Sequence, residues 1–184
     1  MEIQEAIKGG EQALAEQCSR QSSEIGDLIN TIDNKDLSHL ARSTVSQILI
    51  QDLHLRDITD QVAKRRISSE NDFFFAQQLK MSYSGQDSVL SLGMLSINCP
   101  YRYEYLGHIK RLVLGPLTQK SFLSLLTAFQ LSYFCLLSGG TGVGKSSLVR
   151  ELASYQGVMF RLKNGSSIVS MESMTGFLKV SYGF

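Results

Sequence analysis

Apolar positions recur at helical spacing through the first third of the chain. Ile25, Leu28, Ile29 and Ile32 form one stripe, and Leu37, Leu40, Val45, Ile48 and Leu49 form a second. Residues three and four apart share a helix face, so the spacing predicts helices from Met1 to about Val62 with a break at Asp33-Asn34-Lys35-Asp36. Ser68-Ser69-Glu70-Asn71-Asp72 then reads as a helix start, with serine or asparagine caps ahead of Phe73-Phe74-Phe75-Ala76-Gln77-Gln78-Leu79. Three consecutive phenylalanines need a covering surface, and core packing supplies one. From Met81 to about Tyr105 the period shortens to that of a strand: Val89 to Ile97 partly alternates, and Tyr101-Arg102-Tyr103-Glu104-Tyr105 alternates strictly. That alternation puts three tyrosines on one face, suited to cross-strand packing more than to stacking on a base. Pro116 introduces an apolar helix, with Thr118 as its candidate cap. Phe122 to Leu137 reads as a buried helix followed by a buried strand, Tyr133-Phe134-Cys135-Leu136-Leu137.

The residues just beyond that strand carry the chemistry. Gly139-Gly140-Thr141-Gly142-Val143-Gly144-Lys145-Ser146 matches the phosphate-binding pattern G-x-x-x-x-G-K-[ST] in full, and Ser147-Leu148-Val149-Arg150-Glu151-Leu152-Ala153 continues it with helical spacing. Glycines at 139, 140, 142 and 144 permit backbone conformations closed to residues with a Cβ, so that successive N–H groups can face phosphate oxygens. The N-terminus of the following helix adds partial positive charge. Lys145 is placed to reach the β- and γ-phosphates, and the Ser146 hydroxyl to ligate Mg²⁺. A glycine-rich turn with lysine and serine present by chance is the plain alternative, and the flanking elements argue against it.

The acids needed for hydrolysis are absent. Nucleotide hydrolysis on this kind of loop uses a second strand ending in Asp, often Asp-Glu, to hold Mg²⁺ and orient water. After Lys145 the only acids are Glu151 and Glu172, and neither ends an apolar strand. The expectation is therefore a binding half-site with no catalytic residue of its own, a piece of a larger ATPase.

Composition narrows the classes further. A chain of 184 residues with 43% hydrophobic residues can bury a core, and a formal net charge of +1 gives no case for nucleic acid. Lys64-Arg65-Arg66 reads as a solvated helix end. Cys18, Cys99 and Cys135 have neither disulfide-framework nor zinc spacing, which fits a reduced intracellular compartment. Met1-Glu2-Ile3-Gln4-Glu5 lacks the basic start of a signal peptide. The apolar run Phe122 to Leu137 is interrupted by Ser124, Thr127, Gln130 and Ser132 and falls short of the ~20 residues of a membrane span. No membrane partner is expected.

The order of several short motifs resembles one family. Tyr103-Glu104-Tyr105-Leu106-Gly107, Arg111-Leu112-Val113 and Pro116-Leu117-Thr118, followed by the phosphate loop, resemble the junction where the linker of a dynein heavy chain enters its first AAA+ module. Upstream, Asp52-Leu53-His54-Leu55-Arg56-Asp57 is similar to the Asp-Val-His-Ala-Arg-Asp segment of dynein linkers. Asn71-Asp72-Phe73 with Gln78-Leu79-Lys80-Met81-Ser82-Tyr83 is similar to their Asn-Asp-Phe and Gln-Leu-Arg-Tyr-Tyr stretch. The match runs in family order from about Leu37 onward. The resemblance implies an α/β P-loop (AAA+) portion over 101–184, an incomplete AAA+ core, preceded over 1–100 by a mostly helical linker-like segment. It also implies ATP with Mg²⁺ as the ligand, which the loop alone does not distinguish from GTP. Leu112, Val113, Pro116, Leu117 and Thr118 then fall on the loop that packs against adenine, and Gly139 to Ser147 carry the phosphates. In the complete motor the resemblance implies dynein subunits and microtubules as partners and a cytoplasmic, cytoskeletal or ciliary setting, with the axonemal, intraflagellar and cytoplasmic classes left open.

The departures are specific. Where dyneins show Gly-Pro-x-Gly-Thr-Gly-Lys-Thr-Glu, this chain has Gly140 for proline, Val143 for threonine, Ser146 for threonine and Ser147 for glutamate. The usual upstream glycine pair is replaced by Phe134-Cys135-Leu136-Leu137, linker tryptophans are absent, and Lys163-Asn164-Gly165-Ser166 only partly matches the segment after the first helix. Two other readings stay open. One is a self-standing P-loop NTPase in which Glu151 or Glu172 stands in for the missing acid, and the other is a non-catalytic interaction protein with a vestigial loop.

Overall fold

The computed structural model describes residues 2–182 except 35, 68, 70, 86–88, 108–109 and 166–169. Its first part is helical: α1 spans Glu2–Gly9, α2 Glu11–Asp33 and α3 His39–Lys64. The predicted break lies between α2 and α3, where the Ser38 hydroxyl accepts from the Ala41 amide at 3.2 Å and caps α3. A short connection makes the two long helices antiparallel neighbours. Leu14 near the start of α2 therefore meets Ile58 and Val62 near the end of α3, and α1 adds Ile3, Ala6 and Ile7 to the same core. The periodic residues near the break remain more open, with Ile29, Leu40 and Ile48 exposed. Lys64 pairs with Asp60 at 2.6 Å, and Arg65 lies over the Phe74 ring at 4.1 Å. The basic cluster is thus a helix end tied down by local contacts.

The phenylalanine triplet forms only one turn, α4 (Phe73–Ala76). Its cap is Asp72, not the expected serine or asparagine: the Asp72 carboxylate accepts from the Phe74 amide at 2.8 Å, Ser69 and Asn71 precede it, and Ser68 lies outside the described residues. Phe75 enters the first core, Phe74 packs on its margin, and Phe73 faces outward.

An antiparallel meander comes next: β1 (Lys80–Ser84), β2 (Val89–Met94) and β3 (Ile97–Pro100), in the order β1-β2-β3. Met81 pairs with Leu92, and Met94 with Ile97 across a tight turn in which Leu95 takes φ 54°. Leu92, Met94 and Ile97 supply the buried face, onto which α5 (Pro116–Gln130) and α6 (Lys145–Gln156) pack through Phe122, Leu125, Leu126 and Leu152. This second core joins residues on both sides of position 100. Helix α7 (Met171–Tyr182) completes the described chain.

Three local expectations are corrected. Residues 101–105 form no strand: Tyr103 has φ 58°, which breaks the alternation. The Tyr101 and Tyr103 rings meet edge-on at 4.8 Å while Tyr105 stands exposed. Helix α5 begins at Pro116 with Gly115 before it and no side-chain cap, so Thr118 lies inside the first turn. Proline suits that first position because its missing N–H has no helical partner there. Finally, Tyr133 to Leu137 is neither a strand nor buried. Phe134 is 98% and Leu136 93% exposed, and only Leu137 packs on the second core. No strand among the described residues pairs with this segment, so its backbone has no ladder to join.

Candidate phosphate-loop site

The glycine-rich loop lies between that open segment and α6. Gly142 and Gly144 have φ 81° and 86°, left-handed values that a side chain disfavours, and the turn depends on both. Gly140 has no positive φ and open space where a Cβ would stand, so its glycine is not required by the folded loop. The expectation that all four glycines serve unusual backbone conformations therefore does not hold at 140.

Gly144 precedes α6 without a side-chain cap, and the first helical bond runs from the Leu148 amide to the Gly144 carbonyl at 2.9 Å. The amides of Lys145, Ser146 and Ser147 come before that bond and have no partner within the helix. The first turn carries no acid that would compete for a bound anion. The Lys145 ammonium donates to the Gly139 carbonyl at 3.0 Å and to the Gly140 carbonyl, curling over the loop. Both acceptors are neutral, so a phosphate can replace them without breaking an ion pair. Thr141, Val143, Ser146 and Ser147 are exposed on the same loop and helix start. The Ser146 hydroxyl is thus reachable by a cation bound to a triphosphate. Amides, ammonium and hydroxyl together fit a Mg²⁺–nucleotide triphosphate group.

The segment expected to face the base lies on the margin of the second core. Leu114 packs into that core together with Leu148 and Val149 of α6, while Leu112 and Thr118 are half-buried. Val113 and Leu117 are 70% and 78% exposed, and Pro116 is exposed as well. Two clefts of about 440 Å³ lie to either side of the segment rather than at the loop. One is bordered by Leu114, Gly115 and Pro116, the other by Arg111 and Ser154.

Neither remaining acid reaches the loop as a stand-in for the missing aspartate. Glu172 is exposed in the first turn of α7. Glu151 is 2% exposed, on the inner face of α6. There its Oε1 sits 3.5 Å from Arg111 Nη1. Burial pushes its carboxyl above the usual range, opposed by the Arg111 guanidinium and the Leu112 amide. Arg111 also donates to the Ser154 hydroxyl at 3.0 Å and lies 4.8 Å from the centre of the Tyr155 ring. Sequence reasoning missed this cluster, though a signal existed. Leu148, Glu151, Leu152 and Tyr155 follow the i, i+3, i+4, i+7 rule, so Glu151 lies on the apolar stripe of α6 and needs a buried cationic partner.

Among the described residues, no group of three or more His, Cys, Asp or Glu is placed to hold a metal, and no helix is long and apolar enough to cross a membrane. Cys18, Cys99 and Cys135 are all free thiols.

Comparison with known proteins bears on the same region. Residues 101–181 match a family model described as the hydrolytic ATP binding site of the dynein motor region. Human dynein axonemal heavy chain 12 is 29% identical over 92% of this chain and 6% of its own length. Human dynein axonemal heavy chain 1 is 28% identical over 97% and 4%, and the flagellar outer arm dynein beta chain of Chlamydomonas reinhardtii 28% over 94% and 4%. The chain thus spans about one twentieth of the length of the relatives it matches.

Proposed function

We propose that this chain, a dynein heavy chain-related sequence, binds Mg²⁺–ATP at Gly139 to Ser147 and contributes that site to a motor assembled with further sequence. The carrying observation is the uncapped start of α6 beneath an exposed loop, with Lys145 held, among the described residues, by loop carbonyls. In this reading the amides of 144–147 and Lys145 hold the β- and γ-phosphates, and Ser146 ligates Mg²⁺. Leu112, Val113, Pro116, Leu117 and Thr118 lie against the adenine. The exposure of Val113 and Leu117 supports this role, since both offer apolar surface beside the core that carries α6.

Hydrolysis requires acids supplied from outside the described residues, because Glu151 is engaged with Arg111 and Glu172 lies on a separate helix. The division at about residue 100, linker-like before and AAA+ after, is a proposal about family organisation, as is the place of the segment in the first module. Relatives named as axonemal or flagellar favour a ciliary, cytoskeletal setting, with microtubules as the partner of the complete motor. The test is calorimetric titration of the purified chain with ATP and with GTP, each with and without Mg²⁺. Saturable, Mg²⁺-dependent ATP binding that exceeds GTP binding supports the proposal, and no heat with either nucleotide refutes it.

A further inference from the structure

We infer that Arg111 is a positioning residue that couples the base-side segment Leu112 to Thr118 to the phosphate helix α6 through Glu151 and Ser154. The inference rests on the nucleotide reading above and assigns the residue that keeps the two halves of that site in register.

Arg111 immediately precedes Leu112 and Val113, and its guanidinium meets three residues of α6. Glu151 Oε1 at 3.5 Å, Ser154 Oγ at 3.0 Å and the Tyr155 ring at 4.8 Å all belong to α6. Glu151 lies six residues beyond Lys145, about 9 Å along the helix axis, so a displacement of the helix start is carried rigidly to Glu151. The carboxylate is buried, and its Oε1 faces the Arg111 side chain at the head of the base-side segment. Together with Ser154 it therefore holds the side chain that leads into the segment.

Stability alone does not call for this arrangement. A buried ion pair is often matched or exceeded by apolar residues of similar volume, whereas one guanidinium nitrogen set between a carboxylate oxygen and a hydroxyl, with the guanidinium near an aromatic ring, fixes direction as well as distance. The surrounding Leu148, Val149 and Leu152 show that α6 can pack by apolar contact alone. What the cluster adds is a defined orientation of Leu112 and Val113 relative to the phosphate loop.

The consequence is a separable effect on two ligands. Inorganic tripolyphosphate engages the loop only, whereas ATP engages the loop and the base-side segment. Titration of the full chain with Mg²⁺–ATP and with Mg²⁺–tripolyphosphate, for the unaltered protein, Arg111→Ala, Arg111→Lys and Glu151→Gln, distinguishes the two contributions. Arg111→Ala and Glu151→Gln should weaken ATP binding about five- to tenfold, the size of coupling seen between contacting residues, while tripolyphosphate binding changes less than about twofold. Arg111→Lys keeps the charge and a donor nitrogen but not the planar guanidinium, and should recover part of the loss. Thermal melts identify variants that fold, and if Arg111→Ala does not fold, Glu151→Gln and Arg111→Lys carry the comparison. Equal weakening of both ligands, or unchanged ATP binding in a folded variant, overturns the inference while leaving the nucleotide reading intact. Failure of the unaltered chain to bind either ligand overturns the nucleotide reading and this inference with it.

Discussion

Two neighbouring apolar stretches of this chain meet opposite fates. Phe122, Leu125 and Leu126 of α5 are buried at the centre of the second core, whereas Phe134 and Leu136, a few residues on, are almost fully exposed. Their hydrophobicity is similar, and the difference lies in the backbone. A helix closes its own hydrogen bonds and needs only one covered face, while an extended segment needs a neighbour for every N–H and C=O. Helix α5 finds β2, β3 and α6 as its cover, and residues 133–137 find no pairing strand among the described residues. Burial of an extended apolar run is a property of its partners, and the phosphate loop hangs directly from such a run.

The strongest way to break this contrast is Phe122→Ala. Removing a fully buried ring should cost about 3–5 kcal/mol in a denaturant titration, and a loss below about 1 kcal/mol would deny that α5 anchors the core. Gly157→Ala tests the helix on the far side of the loop. Gly157 closes α6 at φ 64° and an added Cβ would run into the Tyr101 ring, so the substitution should cost about 1–3 kcal/mol. A neutral result would show that α6 ends more loosely than its contacts imply.

The buried acid sharpens the contrast through pH. The folded-state pKa of Glu151 is raised above its ordinary 4.5, so the folded chain keeps the proton after the unfolded chain has lost it. Its contribution to stability is full below 4.5 and declines as pH rises through the folded value. Glu151→Gln should remove that decline from a plot of melting temperature against pH, and an unchanged profile would place the charge in water. The smallest expected effect is at the exposed run. Phe134→Ser should alter stability by less than about 0.5 kcal/mol, and a large loss would mean that this segment is covered after all.

Much of the molecule was legible from residue spacing, for identifiable reasons. Helices α2 and α3 and the break between them follow from apolar period, a local property; the Ser38 cap of α3, equally local, went unread. Strand β2 follows from alternation at Leu90, Leu92 and Met94, which turns one face to the core, while the turn at Leu95 that splits the run from β3 was not read. The glycine-rich turn leading into α6 was readable because its residues are consecutive. The errors arose where structure depends on distant partners. Tyr103 leaves the strand conformation where the backbone turns to meet the end of α6, with Arg102 donating to the Gln156 carbonyl and Glu104 to that of Gly157, each at 2.9 Å. The Arg111–Glu151 pair joins residues forty apart, so neither charge shows its role in its own neighbourhood. Even so, an acid on the apolar stripe of α6 was a readable sign that a buried cation had to come from elsewhere.

The central claim is that the loop and Lys145 bind a nucleotide triphosphate, and a thermal shift with Mg²⁺–ATP tests it most directly. At a hundred times its dissociation constant the ligand should add about 2.7 kcal/mol of stability. Lys145→Ala should abolish that gain while leaving the ligand-free melting temperature nearly unchanged, because its partners are exposed loop carbonyls. An equal gain in the Lys145→Ala variant, or none in the unaltered chain, would contradict the account.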